Sequence, residues 1–141
     1  MLNGKIAVIT GANRGIGWAT VQKFAQHHAC VWACARRQTD AFEKNIKELS
    51  GKYATEIYPL YFDVSDTDAV KKAIKTIGDK QKCIDILVNN AGISVEQLFP
   101  MTAIKTMEDC MHTNFMSQVQ LAQLVSRYMM RNKAGAIINV A

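Results

Sequence analysis

No stretch of the 141-residue sequence approaches the roughly 20 consecutive apolar residues that a membrane span requires; even the apolar N-terminus is interrupted by Asn3, Lys5, Asn13 and Arg14. No membrane partner is expected. The start also lacks the pattern of a secretory signal peptide. The four cysteines, Cys30, Cys34, Cys83 and Cys110, form no C-x-x-C pair and have no histidine at zinc-ligand spacing. A disulfide framework and a structural metal site are both unsupported, no metal is expected, and a reducing cytoplasm is the simplest setting. Acids are missing from the opening 37 residues, where Lys5, Arg14, Lys23, Arg36 and Arg37 precede the first carboxylate, Asp40.

The composition is 49% hydrophobic and 21% charged with a net charge of +5, which excludes a disordered or collagen-like chain and suits one domain or a large part of one. The early excess of base calls for an anionic ligand. Nucleic acid is the wrong anion, because the later bases are interleaved with acids (Lys44, Lys47, Glu48; Asp66, Asp68, Lys71, Lys72), as on solvated helix faces. No nucleic-acid partner is expected.

Short apolar runs alternate with amphipathic segments. Lys5 to Thr10 reads as a strand, followed by a glycine-rich turn and a helix over Ile16 to His28 with Ile16, Ala19, Val21, Phe24 and Ala25 at helical spacing. Cys30 to Ala35 reads as a second strand, and Phe42, Ile46 and Leu49 mark a helix stopping near Gly51. Glu56 to Phe62 is a third strand, which Pro59 assigns to an edge or a bulge. Asp66 then caps a helix carrying Ala69, Val70, Ala73, Ile74 and Ile77 before Gly78. Ile84 to Val88 is a fourth strand, His112 to Lys133 a long helix with Phe115, Val119, Ala122, Val125 and Met129 on one face, and Gly135 to Ala141 a fifth strand. Such alternation predicts an α/β fold, a Rossmann-type doubly wound parallel sheet with five strands present. The methionines of the second half read as core and interface filler.

Between the first strand and its helix lies Thr10-Gly11-Ala12-Asn13-Arg14-Gly15-Ile16-Gly17. In an open α/β sheet this turn is where a dinucleotide pyrophosphate binds, because the helix presents unpaired amides and a positive dipole end there. Its G-x-x-x-G-x-G spacing differs from the G-x-G-x-x-G fingerprint, and it lacks the Lys-Ser/Thr ending of a P-loop. A tight glycine connection without a ligand is the alternative.

TGANRGIG after the first strand, Asp63 in FDVSD closing the third, NNAG (Asn89 to Gly92) after the fourth, and Asn114 on the long helix together resemble the short-chain dehydrogenase/reductase family, in order from residue 1 to residue 141. The sequence is most similar to the NADP-dependent 3-oxoacyl-(acyl carrier protein) reductase type. The resemblance implies that Thr10, Gly11, Asn13, Arg14, Gly15, Ile16 and Gly17 surround the pyrophosphate and adenosine ribose of NADP(H). By the same resemblance Asp63 and Val64 hold the adenine, and Asn90, Ala91 and Gly92 line the cofactor cleft. Without a ligand, Asp63 would be a solvated strand-end carboxylate and Asn89 and Asn90 a turn pair.

Dinucleotide folds choose between NAD and NADP at the end of the second strand, where a carboxylate would bond the ribose hydroxyls and repel a 2′-phosphate. Ala35 stands there, followed by Arg36 and Arg37. Arg36 is expected to meet the 2′-phosphate, with Arg14 in reach of the same group, while Arg37 points either there or to solvent.

The resemblance further implies a Ser, a Tyr-x-x-x-Lys pair and an Asn as catalytic residues, with a small-molecule or acyl-carrier-bound carbonyl as substrate and a homo-oligomeric parent, dimer or tetramer, pairing through the long helix. A phenol near pKa 10 can exchange a proton near neutrality only if a nearby ammonium lowers it. Asn114 supplies the Asn. No tyrosine among Tyr53, Tyr58, Tyr61 and Tyr128 has a lysine four positions later. On alignment with the family the Ser would follow Ala141 directly. The C-terminal part of the fold is therefore expected to be missing and the 141 residues to be inactive alone, the rival reading being a nucleotide-binding module without catalysis. Ser94 to Thr102 is the one segment expected to edge a substrate pocket. His27, His28 and His112 are expected in surface or packing roles.

Overall fold

A computed structural model describes residues Met1–Ala141. Five parallel strands form one sheet in the order β3-β2-β1-β4-β5, with β1 Ile6–Ile9, β2 Cys30–Ala35, β3 Ile57–Tyr61, β4 Ile86–Asn89 and β5 Ala136–Asn139. The intervening helices are α1 Gly15–Gln26, α2 Asp40–Tyr53, α3 Thr67–Gln81, α4 Ile104–Met111 and α5 Ser117–Asn132. This is the doubly wound arrangement the alternation predicts.

Strand periodicity sorts the core into two layers. Val8, Trp32 and Cys34 point to one face, where they meet Val70, Ile74 and Ile77 of α3 and Leu121, Val125 and Met129 of α5. Ile9, Val31, Ala33 and Ala35 point to the other, against Val21 and Ala25 of α1 and Phe42 and Ile46 of α2. Because both faces are covered, β1 and β2 read as unbroken apolar runs. Pro59 does sit on an edge strand, opposite Ala33 of β2. β5 forms the other edge, and all four of its residues are exposed.

Several boundaries differ from the sequence reading. β4 begins one residue after Asp85, whose carboxylate accepts from the Ile6 amide at 2.8 Å while its own amide and carbonyl bond Ile6 and Ala136, each at 2.9 Å. α2 runs through Gly51 and ends at Ala54, a left-handed residue whose amide bonds the Ser50 carbonyl. α3, capped by Asp66 through the Asp68 and Ala69 amides, likewise runs through Gly78. There the lack of a side chain serves packing: a Cβ on Gly78 would stand 2.0 Å from the Tyr128 hydroxyl of α5. In α1 the buried residues are Gly17, Val21 and Ala25, whereas Ile16 and Ala19 face outward.

The long helix departs most. α4 leads into α5 through a π-helical turn, His112–Met116. The buried face of α5 is Ser117, Leu121, Val125 and Met129, each four residues on from the last, while Phe115 of the π-helical turn and Val119 are 55% and 45% exposed.

Candidate functional site

The cleft lies at the C-terminal ends of β1 to β4, where the connections from β1 and β4 leave the sheet toward different places in strand order. It has a volume of about 680 Å³. This is the position at which open α/β sheets take ligands. Its walls come from four strand ends: Gly11 and Asn13 to Ile16 after β1, Cys34 to Arg37 at β2, Phe62 to Ser65 after β3, and Asn90 to Ile93 after β4. Thr113 of the π-helical turn completes it.

Thr10 and Gly17 are buried and do not line the cleft. Thr10 is 1% exposed, and its hydroxyl accepts from the amides of Asn90 and Ala91, each at 3.0 Å. Asn90 answers by donating its side-chain amide to the carbonyls of Thr10 at 3.2 Å and Gly11 at 3.1 Å. These contacts tie the glycine turn to the end of β4. Gly17 is buried beneath that junction, and a Cβ there would stand 2.0 Å from the Gly11 carbonyl oxygen and 2.6 Å from Asn90 Nδ2. Gly11 itself has φ +62, which a side chain disfavours. The glycine spacing is thus dictated by the junction of turn, helix and β4.

Arg14 caps α1 by its backbone alone, with no side-chain cap and no acid in the first turn. Trp18 is the first amide of this helix to reach a backbone acceptor, Arg14 at 3.2 Å. The amides of Gly15, Ile16 and Gly17 therefore have no backbone acceptor at this positive helix end, and of the three residues Gly15 and Ile16 line the cleft. Gly15, φ +54, has nothing within 4 Å of a would-be Cβ, so the approach to those amides is open.

The charge balance follows the same sense. Arg14, Arg36 and Arg37 line the cleft against one carboxylate, Asp63. None of the chain's ion pairs uses an arginine. Asp63 is already engaged: its Oδ1 accepts from the Ser65 hydroxyl at 2.7 Å and the Ser65 amide at 2.9 Å. The Ser65 hydroxyl is the main cause holding the Asp63 carboxyl below its ordinary value; partial burial opposes it, and the Ser65 amide and the charges of Arg36 and His112 add to it. Cys34 lies in the floor, where burial pushes its thiol up to about 12 and keeps it neutral. Free amides and unpaired guanidiniums form a donor set suited to a polyanionic dinucleotide, and the one carboxylate beside them is engaged by Ser65.

Asn114 does not line the cleft. It is exposed beside Ile93, with which it exchanges two hydrogen bonds, and His112 Nε2 contacts the Ser65 carbonyl at 2.8 Å. The π-helical turn is thereby bonded to two cleft walls. Ser65, Ile93 and Thr113 were not singled out from the sequence; Ser65 sits two residues after Asp63 in FDVSD, a spacing that suits a side-chain-bonded turn. Nothing local marks Thr113. Ser94 to Thr102 stands outside the cleft walls, and Leu98, Phe99 and Met101 in it are exposed.

Fold, switch-point cleft and ordered motifs coincide with a match to the short chain dehydrogenase family over residues 5–141, and the chain belongs to that family. Among its relatives, a 3-oxoacyl-(acyl-carrier-protein) reductase of Vibrio harveyi is 37% identical over 139 residues and that of Thermotoga maritima 34% over 142, each alignment covering 99% of this chain. A 3alpha-hydroxysteroid dehydrogenase of Mediterraneibacter gnavus is 31% identical over 149 residues. The chain spans about half the length of these relatives, 55% to 56%. The structure of L-sorbose reductase from Gluconobacter frateurii, complexed with NADPH and L-sorbose, superposes with a TM-score of 0.91 at 30% identity, over 98% of this chain and 52% of that one. No helix is long and apolar enough to cross a membrane.

Proposed function

We propose that this chain is the nucleotide-binding part of an NADPH-dependent reductase whose parent converts a carbonyl, a 3-oxoacyl thioester or another ketone, to an alcohol. The observation that carries the reading is the end of β2: Ala35, Arg36 and Arg37 open into the same cleft as the glycine turn, and no acid stands where a ribose-binding carboxylate would. NADPH supplies the hydride when bound. The residues of this chain orient it. The free amides of Gly15 and Ile16 and the turn from Gly11 to Arg14 receive the pyrophosphate, Arg36 with Arg14 receives the 2′-phosphate, and Asp63 and Val64 bound the adenine. Asn90, Ala91 and Gly92 form the wall toward the reacting end. Asn114, its side chain engaged by Ile93, acts as a positioning residue for that wall.

The reductases among the relatives support the carbonyl substrate, and the exposed Phe115, Met116 and Val119 support pairing of the parent through the α5 region. Four free cysteines suit a reducing cytoplasm. The absence of any Tyr-x-x-x-Lys from the 141 residues favours one second reading, a nucleotide-binding module without catalysis. Titration with NADPH and NADH tests the shared cofactor reading, and tighter NADH binding would reverse it. NADPH oxidation with acetoacetyl thioester then separates the two. It is expected to be absent from this chain and present once a segment carrying Ser and Tyr-x-x-x-Lys follows it; silence of the extended chain would leave the module.

A further inference from the structure

The loop that carries Arg36 and Arg37 is exposed from Arg36 to Asp40, yet it is braced from behind. Glu43, in the first turn of α2, uses a single carboxylate oxygen for two donors: the Tyr61 hydroxyl at 2.6 Å and the Gln38 side-chain amide at 3.2 Å. Tyr61 is the last residue of β3, opposite Ala35 in register, and its ring packs edge-on to Phe42 at 6.3 Å. Gln38 immediately follows the arginine pair, and Thr39 caps α2 through the Phe42 amide. The end of β3 is therefore tied to the arginine loop through one carboxylate, and no ion pair joins that carboxylate to an arginine.

We infer that the Tyr61–Glu43–Gln38 hydrogen-bond chain is a specificity-determining brace: it positions Arg36 and Arg37 for the 2′-phosphate of a dinucleotide. The inference rests on the cofactor reading above and adds residues outside the cleft. The physical reason is preorganisation. An arginine on an unbraced loop must be ordered at the moment of binding, and that entropy is subtracted from the affinity for the one group it contacts. Contacts to the rest of the nucleotide come from the glycine turn and are indifferent to the brace.

The test is titration of the unmutated chain and of Tyr61→Phe, Gln38→Ala, Glu43→Ala and Glu43→Gln with adenosine 2′,5′-bisphosphate and adenosine 5′-monophosphate at one ionic strength. Loss of one brace bond in Tyr61→Phe or Gln38→Ala is expected to weaken the bisphosphate about fivefold, with the monophosphate unchanged within about twofold. Glu43→Ala should do the same or more. Glu43→Gln keeps an acceptor oxygen for both donors and should behave as the unmutated chain. Gln38 is exposed, so its variant retains the fold even if a Tyr61 or Glu43 variant melts. A preference for the bisphosphate that Gln38→Ala and Tyr61→Phe leave unmoved would overturn the brace alone, as would an equal loss for both ligands or tighter bisphosphate binding by Glu43→Gln and Glu43→Ala alike. Equal affinity of the unmutated chain for the two nucleotides would overturn the Arg36 reading, and the brace with it.

Discussion

The side chain of Asn114 and the backbone of Ile93 form a closed pair of hydrogen bonds, Ile93 N–H to Asn114 Oδ1 and Asn114 Nδ2–H to the Ile93 carbonyl, both at 2.8 Å. The pair imitates one rung of a sheet ladder between a helix and a loop. It also explains the tight space at Gly92, where a Cβ would come within 3.1 Å of Asn114 Oδ1. The wall after β4 thus owes its place to a residue 21 positions further along the chain.

Asn114→Ala should cost about 1 to 2 kcal/mol, the net worth of two partly solvated hydrogen bonds, and should expose the Ile93 amide. Urea unfolding reads the first effect and hydrogen exchange at Ile93 the second. Asn114→Asp keeps the acceptor and should keep that amide protected. Unchanged exchange at Ile93 in the alanine variant would show that the loop is placed by other means.

Arg36→Ala should remove most of a preference for NADPH over NADH. A charge-assisted contact to the 2′-phosphate contributes about 1.5 to 3 kcal/mol, or roughly tenfold to 150-fold in affinity. NADH binding should stay nearly constant. Ala35→Asp should oppose NADPH further by placing a carboxylate beside the phosphate. Nucleotide fluorescence titration at fixed ionic strength decides it, because salt screens this exposed contact.

The Asp63 carboxyl is held below its ordinary value, chiefly by the Ser65 hydroxyl. In the pH window between its lowered folded value and about 3.9 in the unfolded chain, only the unfolded chain carries the proton, so stability rises with pH there and is lost as pH falls through the folded value. Ser65→Ala should raise the carboxyl's titration midpoint, and Asp63→Asn should flatten this part of the acid limb. An NMR titration of the Asp63 carboxyl carbon checks the direction, and an ordinary midpoint in the unmutated chain would contradict it.

β5 offers an unpaired edge, with Ile137 38% and Ile138 45% exposed. Leu98, Phe99, Met101 and Ile104 add apolar surface, each at least 69% exposed. The 141-residue chain should therefore associate with rising concentration and bind hydrophobic dyes. Ile138→Lys should reduce association measured by sedimentation velocity. A monomeric chain without dye binding would mean that this surface is tolerated.

Much of the fold was legible in the sequence because its cues are local. Period, caps and turn residues act within a few positions, so the strand–helix alternation, the Asp66 cap and the buried stripes of α2 and α3 could be read directly, as could the glycine turn and the arginines after β2. What tertiary structure alone decided involves partners far apart in the chain. Gly78 reads as a helix end and is a seat for Tyr128, 50 positions away; Phe115 and Val119 fit one helical stripe, whereas the stripe that packs is Ser117, Leu121, Val125 and Met129. Thr10 looked like a ligand-facing residue and is a buried clasp on Asn90 and Ala91, 80 and 81 positions on. Residue types and spacings determined which chemistry this chain can offer. Only the packing of β1 against β4, and of α5 behind both, determined which of those groups face the cleft and which are consumed in building it.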